Sequence, residues 1–148
     1  MTFYTHIDKT PIFSKKVRSY TMSRIRKTNT KPELLVRSYL FKNGFRFRVY
    51  NKKLLGNPDI VISKNKIVIF VNGCFWHAHK KCKYSKMPKS NTSYWIPKIL
   101  KNVERDVRNK KKLKEFGWKV ITIWECELEK KRFEKTIKKT IDKVNKRV

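Results

Sequence analysis

The sequence predicts an α/β fold in which a mixed central β-sheet is flanked by helices. Three short and almost wholly apolar segments have the composition of buried strands, at residues 58–62, 66–71 and 118–124. A tight turn at residues 63–65 joins the first two, which predicts an antiparallel hairpin. Segments with helical periodicity lie between and after these strands, so we expect one sheet with helices packed on it.

The N-terminal part of the chain predicts an arm followed by a helix. Residues 1–20 are basic and show no periodicity, so we expect a flexible arm there and a single domain over residues 21–148. A helix is expected to begin at Thr30, because Glu33 follows at the spacing of a capping box. Gly44 is expected to end this helix.

The remaining elements follow from alternation, helix breakers and helical spacing. Residues 45–49 alternate between apolar and basic side chains, which predicts a strand with one basic face. A long helix is expected over about residues 95–116, because Pro97 is tolerated only in a first helical turn and Gly117 favours a helix end. Apolar residues at helical spacing mark a last helix, namely Phe133, Ile137, Ile141, Val144 and Val148.

The size and charge of the chain restrict its class. Its 148 residues suit one domain, and 39% of them are hydrophobic, which is enough for a core. Thirty-nine Lys and Arg against eleven Asp and Glu give a net charge of +28, which favours a polyanionic partner such as nucleic acid. An anionic membrane surface would require an amphipathic helix with a free apolar face, and a lysine-rich compositional bias would require no partner. No segment approaches the roughly 18 apolar residues of a membrane span, and no signal peptide is visible.

A loop rich in cysteine and histidine follows the second strand of the hairpin. Cys74, His79 and Cys82 have four and two residues between them, so one compact turn can aim their ligand atoms at a tetrahedral zinc ion. Cys126 follows the last strand and completes the ligand set if the two strands are neighbours in the sheet. The alternative is three buried thiols without a metal. An odd number of cysteines does not suit a disulfide framework.

Two further residues stand where chemistry is expected. Asp59 opens a strand beside the hairpin partner that carries the cysteine-rich loop, and a carboxylate there costs free energy unless it is paired or binds a cation. The alternative is an exposed, inactive aspartate in a turn. His77 lies out of phase with the cysteine ligands, so it is a spare ligand, an exposed histidine or a general base.

The same loop contains two adjacent aromatic residues, Phe75 and Trp76. Neighbouring side chains of a regular strand point to opposite faces, so we expect at least one of them to be exposed and to stack on bases or wedge between them. The alternative is that both pack over the zinc site. The residues alone assign Glu33 to the capping box.

These motifs together resemble the very short patch repair (Vsr) DNA mismatch endonucleases, and the resemblance runs from about Arg18 to Glu127. It rests on Gly56-Asn57-Pro58-Asp59, Gly73-Cys74-Phe75-Trp76-His77-Ala78-His79 with Cys82, Lys101-Asn102-Val103-Glu104-Arg105-Asp106, and Gly117-Trp118 with Trp124-Glu125-Cys126. The Cys-Phe-Trp-His block combined with the distant Trp-Glu-Cys block is highly specific.

The resemblance implies a fold like that of type II restriction endonucleases, with a structural zinc site. It implies that Asp59 and the main-chain carbonyl of Val71 hold a catalytic magnesium ion and that His77 activates water. The zinc ligands that it implies are Cys74, His79, Cys82 and Cys126. The DNA contacts that it implies are Met22, Phe75, Trp76, Trp95, Lys98 and Asn102.

Three more residues belong to the active site that the resemblance implies. Glu33 matches an acidic residue that the family carries near its active site. Asn72 stands where some members carry a second histidine, and an amide cannot exchange a proton near neutral pH, although it can orient a water or a phosphate. Asp106 matches an aspartate near that position and is expected to have a lesser role here.

The expected activity is that of a magnesium-dependent DNA endonuclease that nicks one strand at a T:G mismatch in a short sequence context. One alternative is a restriction or nicking endonuclease of the same fold that acts on matched duplex. Another is a zinc-stabilised DNA-binding module, which would need neither Asp59 nor His77. We expect a monomer in the bacterial cytoplasm, associated with the nucleoid, with mismatched DNA and mismatch-repair proteins as partners and no membrane.

Overall fold

The computed structural model describes residues 15–146, and its centre is a sheet of three strands: β1 (Ile60–Ile62), β2 (Ile67–Asn72) and β3 (Lys119–Trp124). Strand β2 lies in the middle. It pairs antiparallel with β1, as the hairpin predicts, and parallel with β3. The prediction of a mixed sheet is therefore confirmed, and so is the condition that the two strands flanking the metal ligands are neighbours.

The described residues also form four α-helices, namely α1 (Lys15–Ser23), α2 (Lys31–Lys42), α3 (Thr92–Glu115) and α4 (Phe133–Asn145). Helix α2 begins as predicted, because the Thr30 hydroxyl accepts a hydrogen bond from the Glu33 amide. Helices α2 and α3 end just before Gly44 and Gly117, whose φ angles of +81° and +82° favour glycine.

Strand β2 is buried along its whole length and separates two apolar clusters. Ile67, Ile69 and Val71 face the larger cluster, which includes residues of α2 and α4. Val68 and Phe70 face the other side, where Leu113 of α3 packs against them. A strand covered on both faces needs apolar side chains at every position, which explains why β2 reads as one continuous apolar run.

The prediction of a strand at residues 45–49 is wrong. Only Arg48 pairs with the sheet, through two hydrogen bonds with Val61 of 2.9 and 2.8 Å. The alternating side chains provide a pattern, but the backbone at Tyr50 has a φ of +50° and turns away from the extended conformation.

The start of the long helix also differs from the prediction. Helix α3 begins at Thr92, three residues before Trp95, so Pro97 lies inside it and not in its first turn. Proline removes the hydrogen bond that the carbonyl of Ser93 would otherwise accept. Ser93 and Pro97 are both exposed, so water can reach this carbonyl and the helix continues.

The chain ends bear on two further predictions. Most of the arm predicted over residues 1–20 lies outside the described residues, whereas residues 15–20 belong to α1. Helix α4 ends at Asn145, and Val148 lies outside the described part. None of the described helices has the length and apolar character needed to cross a bilayer.

Candidate active site and metal centre

The carboxylate of Asp59 lies against the backbone of β2. Asp59 precedes β1, whose first residue pairs with Ile69, so the antiparallel register brings it alongside the end of β2. Its Oδ2 accepts a hydrogen bond of 2.7 Å from the amide of Val71. Its Oδ1 accepts none from the described residues. One oxygen therefore fixes the carboxylate next to the Val71 main chain and leaves the other available.

Burial raises the pKa of Asp59 to about 6, although the hydrogen bond from Val71 acts in the opposite direction. The charge of Glu33 raises this pKa further, whereas Arg37 and His77 lower it. Three titratable or charged side chains thus act on one buried carboxylate. A bound cation would stabilise its ionised form, which is the form that burial disfavours.

His77 lies in the loop after β2 and contacts α3. Its Nδ1 forms a hydrogen bond with Oδ2 of Asp106. A carboxylate at Nδ1 favours the tautomer with its proton there, which leaves the lone pair of Nε2 as an acceptor. Both side chains are partly exposed, at 24% and 21%, so water reaches the ring. The sequence analysis did not foresee this contact, which joins residues 29 positions apart.

Glu33 does not complete a capping box. Its amide bonds to Thr30 as expected, but its carboxylate does not return to the Thr30 amide. Instead Oε2 accepts hydrogen bonds from the Asn29 amide, the Tyr50 hydroxyl and Arg37 Nη2. The capping-box interpretation is therefore wrong for the side chain. Arg37 stands four residues after Glu33, a helical ion-pair spacing that could have indicated this contact.

Asn72 is the last residue of β2 and is 4% exposed. It pairs with Trp124 across the parallel register, immediately before the metal-binding loop. The buried amide therefore lies one residue beyond Val71, between the Asp59 contact and the loop that carries His77.

The four cysteine and histidine ligands meet at one point. The ligand atoms of Cys74, His79, Cys82 and Cys126 all lie within 4.8 Å of one another. Nδ1 of His79 is 3.5 Å from Sγ of Cys74 and 3.4 Å from Sγ of Cys126. Tetrahedral zinc places sulfur and nitrogen ligands about 3.6 Å apart. The donor set therefore fits a four-coordinate metal ion with no position left for a substrate.

The environment of this cluster favours metal binding over free thiolates. Burial raises the pKa of the Cys74 and Cys126 thiols, so without a cation they keep their protons. Burial lowers the pKa of His79, which keeps the imidazole neutral and able to act as a ligand. The indole of Trp124 stacks on this imidazole with a centroid separation of 4.1 Å. A metal would replace the thiol protons.

Three aromatic rings form a compact cluster between the loop and α3. Phe75 lies 5.2 Å from Trp76 and 5.3 Å from Trp95, and the two indoles are 5.7 Å apart. Phe75 is buried and Trp76 half-buried, so the expectation that at least one of them is exposed is wrong. The loop folds against α3, and the rings cover one another. The ring that stacks on His79 of the cysteine–histidine cluster is Trp124.

Two residues of α3 adjoin this aromatic cluster. Nζ of Lys98 lies 5.6 Å from the centroid of Trp76 and 5.8 Å from that of Trp95. Nδ2 of Asn102 donates a hydrogen bond of 3.2 Å to the carbonyl of Trp76. The described contacts do not connect Met22, which is half-buried on α1, with these residues.

Comparison with known proteins finds one family in agreement with this site. The family model described as DNA mismatch endonuclease Vsr matches residues 10–84. The chain is 51% identical over 122 residues to type II nicking enzyme V.NmeAIP of Neisseria meningitidis, covering 82% of this chain and 86% of the relative. It is 43% identical over 117 residues to DNA mismatch endonuclease Vsr of Escherichia coli K12, covering 79% and 74%.

The cysteine–histidine cluster predicts about one tightly bound metal ion per chain. Cys126→Ser should reduce the metal content measured by elemental analysis and lower the thermal midpoint, because a site absent from the unfolded chain adds its binding free energy to folding. Thr122→Ser on β3, the strand that precedes Cys126, is the control and should keep the metal. Folded wild-type protein without metal would contradict the prediction.

Proposed function

The chain belongs to the Vsr family of DNA mismatch endonucleases and is a DNA endonuclease, and we propose that it nicks one strand at a T:G mismatch in a short sequence context. The observation that carries this proposal is the convergence on the end of β2. Asp59 bonds to its backbone, and the following loop holds His77 and the aromatic cluster. Candidate cleavage groups and candidate mismatch-sensing groups therefore meet around the end of β2 and the loop that follows it.

Asp59 and the main-chain carbonyl of Val71 are the proposed ligands of a catalytic magnesium ion. The fit is supported by a buried carboxylate that has one oxygen without a hydrogen bond among the described residues. Magnesium, when bound, polarises the scissile phosphate and stabilises the leaving oxygen. The Val71 amide orients the half-buried carboxylate.

His77 is the proposed general base. Nε2 would accept the proton of the attacking water, while Asp106 holds the ring through Nδ1 and stabilises the imidazolium that forms. This contact gives Asp106 a positioning role in the proposed mechanism. Asn72 would orient the water or the phosphate without exchanging a proton.

The proposed zinc site is structural. Cys74, His79, Cys82 and Cys126 fill all four tetrahedral positions, so no open position remains for a reacting group. The ion would fix the loop that carries Phe75, Trp76 and His77. Its effect on nicking would then be indirect, through the position of that loop.

The aromatic cluster and the basic surface are the proposed DNA contacts. Phe75, Trp76 and Trp95 would enter the base stack beside the mismatch, with Met22 contributing from the opposite groove. Lys98 and Asn102 would contact the DNA next to them. The net charge of +28 would supply phosphate contacts that do not depend on sequence.

A second candidate is nicking of matched duplex at a fixed sequence. Two relatives are named type II nicking enzymes, a name that states nicking without a mismatch. They are the Neisseria relative and a Xanthomonas oryzae relative of 48% identity, which covers 75% of this chain and 81% of its own length. In either case the proposed protein is a monomer that acts on DNA in the bacterial cytoplasm, associated with the nucleoid. Mismatch-repair proteins are the further partners proposed.

Incubation with strand-labelled T:G and T:A duplexes in magnesium tests the function. The proposal predicts a nick in one strand of the T:G duplex. Equal cleavage of both duplexes would instead establish the second candidate, and binding without cleavage would establish an inactive DNA-binding module. Asp59→Ala should abolish the nick, and His77→Ala should slow it roughly 10²–10⁴-fold. Lys80→Arg, which keeps the positive charge of an exposed residue in the same loop, should cleave normally.

The raised pKa of Asp59 predicts a pH dependence with a definite sign. Nicking should fall as the pH decreases through about 6, because the protonated carboxyl cannot bind the cation. Protons and magnesium then compete for one carboxylate, so more magnesium should move the midpoint to lower pH. Single-turnover nicking between about pH 5 and 8 at two magnesium concentrations measures this shift. If the pH midpoint of nicking is the same at both magnesium concentrations, the titrating group is not Asp59.

The aromatic cluster predicts how the mismatch is distinguished. Phe75→Ala with Trp76→Ala should reduce the preference for T:G over T:A by about tenfold or more, because unstacking a base step costs a few kcal/mol and a mismatch lowers that cost. Metal content and thermal midpoint monitor the fold. Phe116→Ala removes an aromatic ring that is 68% exposed and is the control. If a folded double mutant keeps the same preference for T:G over T:A, the mismatch is recognised by other residues.

A further inference from the structure

The carboxylate of Glu33 is held by one of its two oxygens. Oε2 accepts hydrogen bonds of 3.0 Å from the Asn29 amide, 2.7 Å from the Tyr50 hydroxyl and 3.0 Å from Arg37 Nη2. Oε1 accepts none from the described residues. The side chain is only 4% exposed, so this asymmetry is fixed by the protein and not by surface mobility.

The donors also bond to one another and form a closed clamp, defined here as Asn29, Arg37 and Tyr50. Arg37 Nη1 donates to Oδ1 of Asn29 at 2.8 Å, and Nη2 donates to the Tyr50 hydroxyl at 2.7 Å. The guanidinium carbon lies 4.9 Å from the centroid of the Tyr50 ring. Arginine suits this position because its planar fork donates to several acceptors in fixed directions, which lysine cannot do.

Backbone strain indicates that the clamp geometry is imposed. Asn29 and Tyr50 have φ angles of +54° and +50°, in the left-handed region that residues other than glycine adopt rarely. Such conformations persist where surrounding contacts over-determine them, and they concentrate at functional sites. Here both strained residues direct hydrogen-bonding groups at the same glutamate.

The clamp lies beside the reacting site. Arg48 pairs antiparallel with Val61, so Tyr50, two residues after Arg48, and Asp59, two residues before Val61, lie at the same end of that pair. Tyr50 binds the Glu33 carboxylate there, and the charges of Glu33 and Arg37 act on Asp59 in opposite directions. With Oε2 saturated by donors, only Oε1 can serve this site.

We infer that Arg37, Tyr50 and Asn29 are positioning residues that fix Glu33 so that its Oε1 is available to the site around Asp59. This inference rests on the proposed function, because it concerns the same reacting site. The competing explanation is a structural tie between α2 and the segment that ends at Tyr50. That tie would support folding without influencing cleavage.

Tyr50→Phe separates the two explanations, since it removes only the hydroxyl and keeps the ring beside Arg37. The nicking rate should fall roughly 10- to 100-fold, as is typical when the group that orients a site residue is lost. Tyr39→Phe is the matched control on α2, because its ring packs 4.6 Å from Phe133 and its hydroxyl makes no described hydrogen bond. A lower thermal midpoint with an unchanged nicking rate would overturn the inference.

A double-mutant cycle shows whether Tyr50 acts through Glu33. Tyr50→Phe should have no further effect on nicking in a Glu33→Gln background. An equal fall in both backgrounds would overturn the inference, because Tyr50 would then act on cleavage by another route. Arg37→Lys keeps the positive charge but loses the planar guanidinium. Its nicking rate should therefore be lowered as in Tyr50→Phe, and not remain unchanged as in the control.

A binding measurement provides a readout besides cleavage. Mn²⁺ is titrated into the complex with a T:G duplex that carries a non-hydrolysable linkage, and its EPR signal reports free ion. Tyr50→Phe should weaken Mn²⁺ binding roughly 10-fold or more while duplex affinity without metal stays constant. Unchanged Mn²⁺ affinity would count against the clamp. If wild-type protein cuts matched duplex instead, the same comparisons on that duplex test the clamp, and only the mismatch proposal fails.

Discussion

The hydrogen bonding of β2 along both of its edges determines where the site residues lie. Antiparallel pairing with β1 brings the Asp59 carboxylate to the Val71 amide. Parallel pairing with β3 brings Cys126 to the ligands of the loop. Because side chains alternate along a strand, a slip of one residue in either register would reverse every face. The same ladder therefore specifies the core, the carboxylate position and the metal centre.

The parts of this arrangement that sequence patterns predicted are those encoded by local rules. The two strands of the hairpin are continuous apolar runs because they are buried along their whole length, and the ligand spacing in the loop is itself local. The burial expected along the last strand is found only at Ile121 and Ile123, because β3 lies at the edge of the sheet. The prediction of a strand at residues 45–49 was wrong because the alternation of side chains does not show whether a neighbouring strand is available for pairing. On the edge of β1 that faces away from β2, Val61 pairs with Arg48 and with no other residue of this segment, and the left-handed Tyr50 ends the extended run.

The contacts that the sequence did not predict join residues distant along the chain. The spacing of the loop indicated His77, and the family resemblance added Asp106, but neither indicated that Asp106 holds His77. Glu33 had a sufficient local explanation as a helix cap, and only the fold shows that Tyr50 and Arg37 saturate one of its oxygens. Such networks depend on tertiary geometry, in which each donor is specified by several neighbours at once.

Under the proposed function, the packing of the aromatic cluster sets a free-energy cost for every insertion into DNA. Edge-to-face ring pairs contribute about 0.5–1.5 kcal/mol each beyond the burial of their surface. Moving Trp76 into DNA would break its contacts with Phe75 and Trp95 before new stacking on the bases forms. On matched duplex the protein would meet this cost together with the full cost of unstacking, a few kcal/mol per step. On a T:G pair the second cost is smaller, so the two duplexes differ by the unstacking cost alone, and the cost of opening the cluster disfavours insertion into both equally. Aromatic rings that were already exposed would not meet the cost of opening the cluster. The basic surface would then keep them in contact with DNA of any sequence.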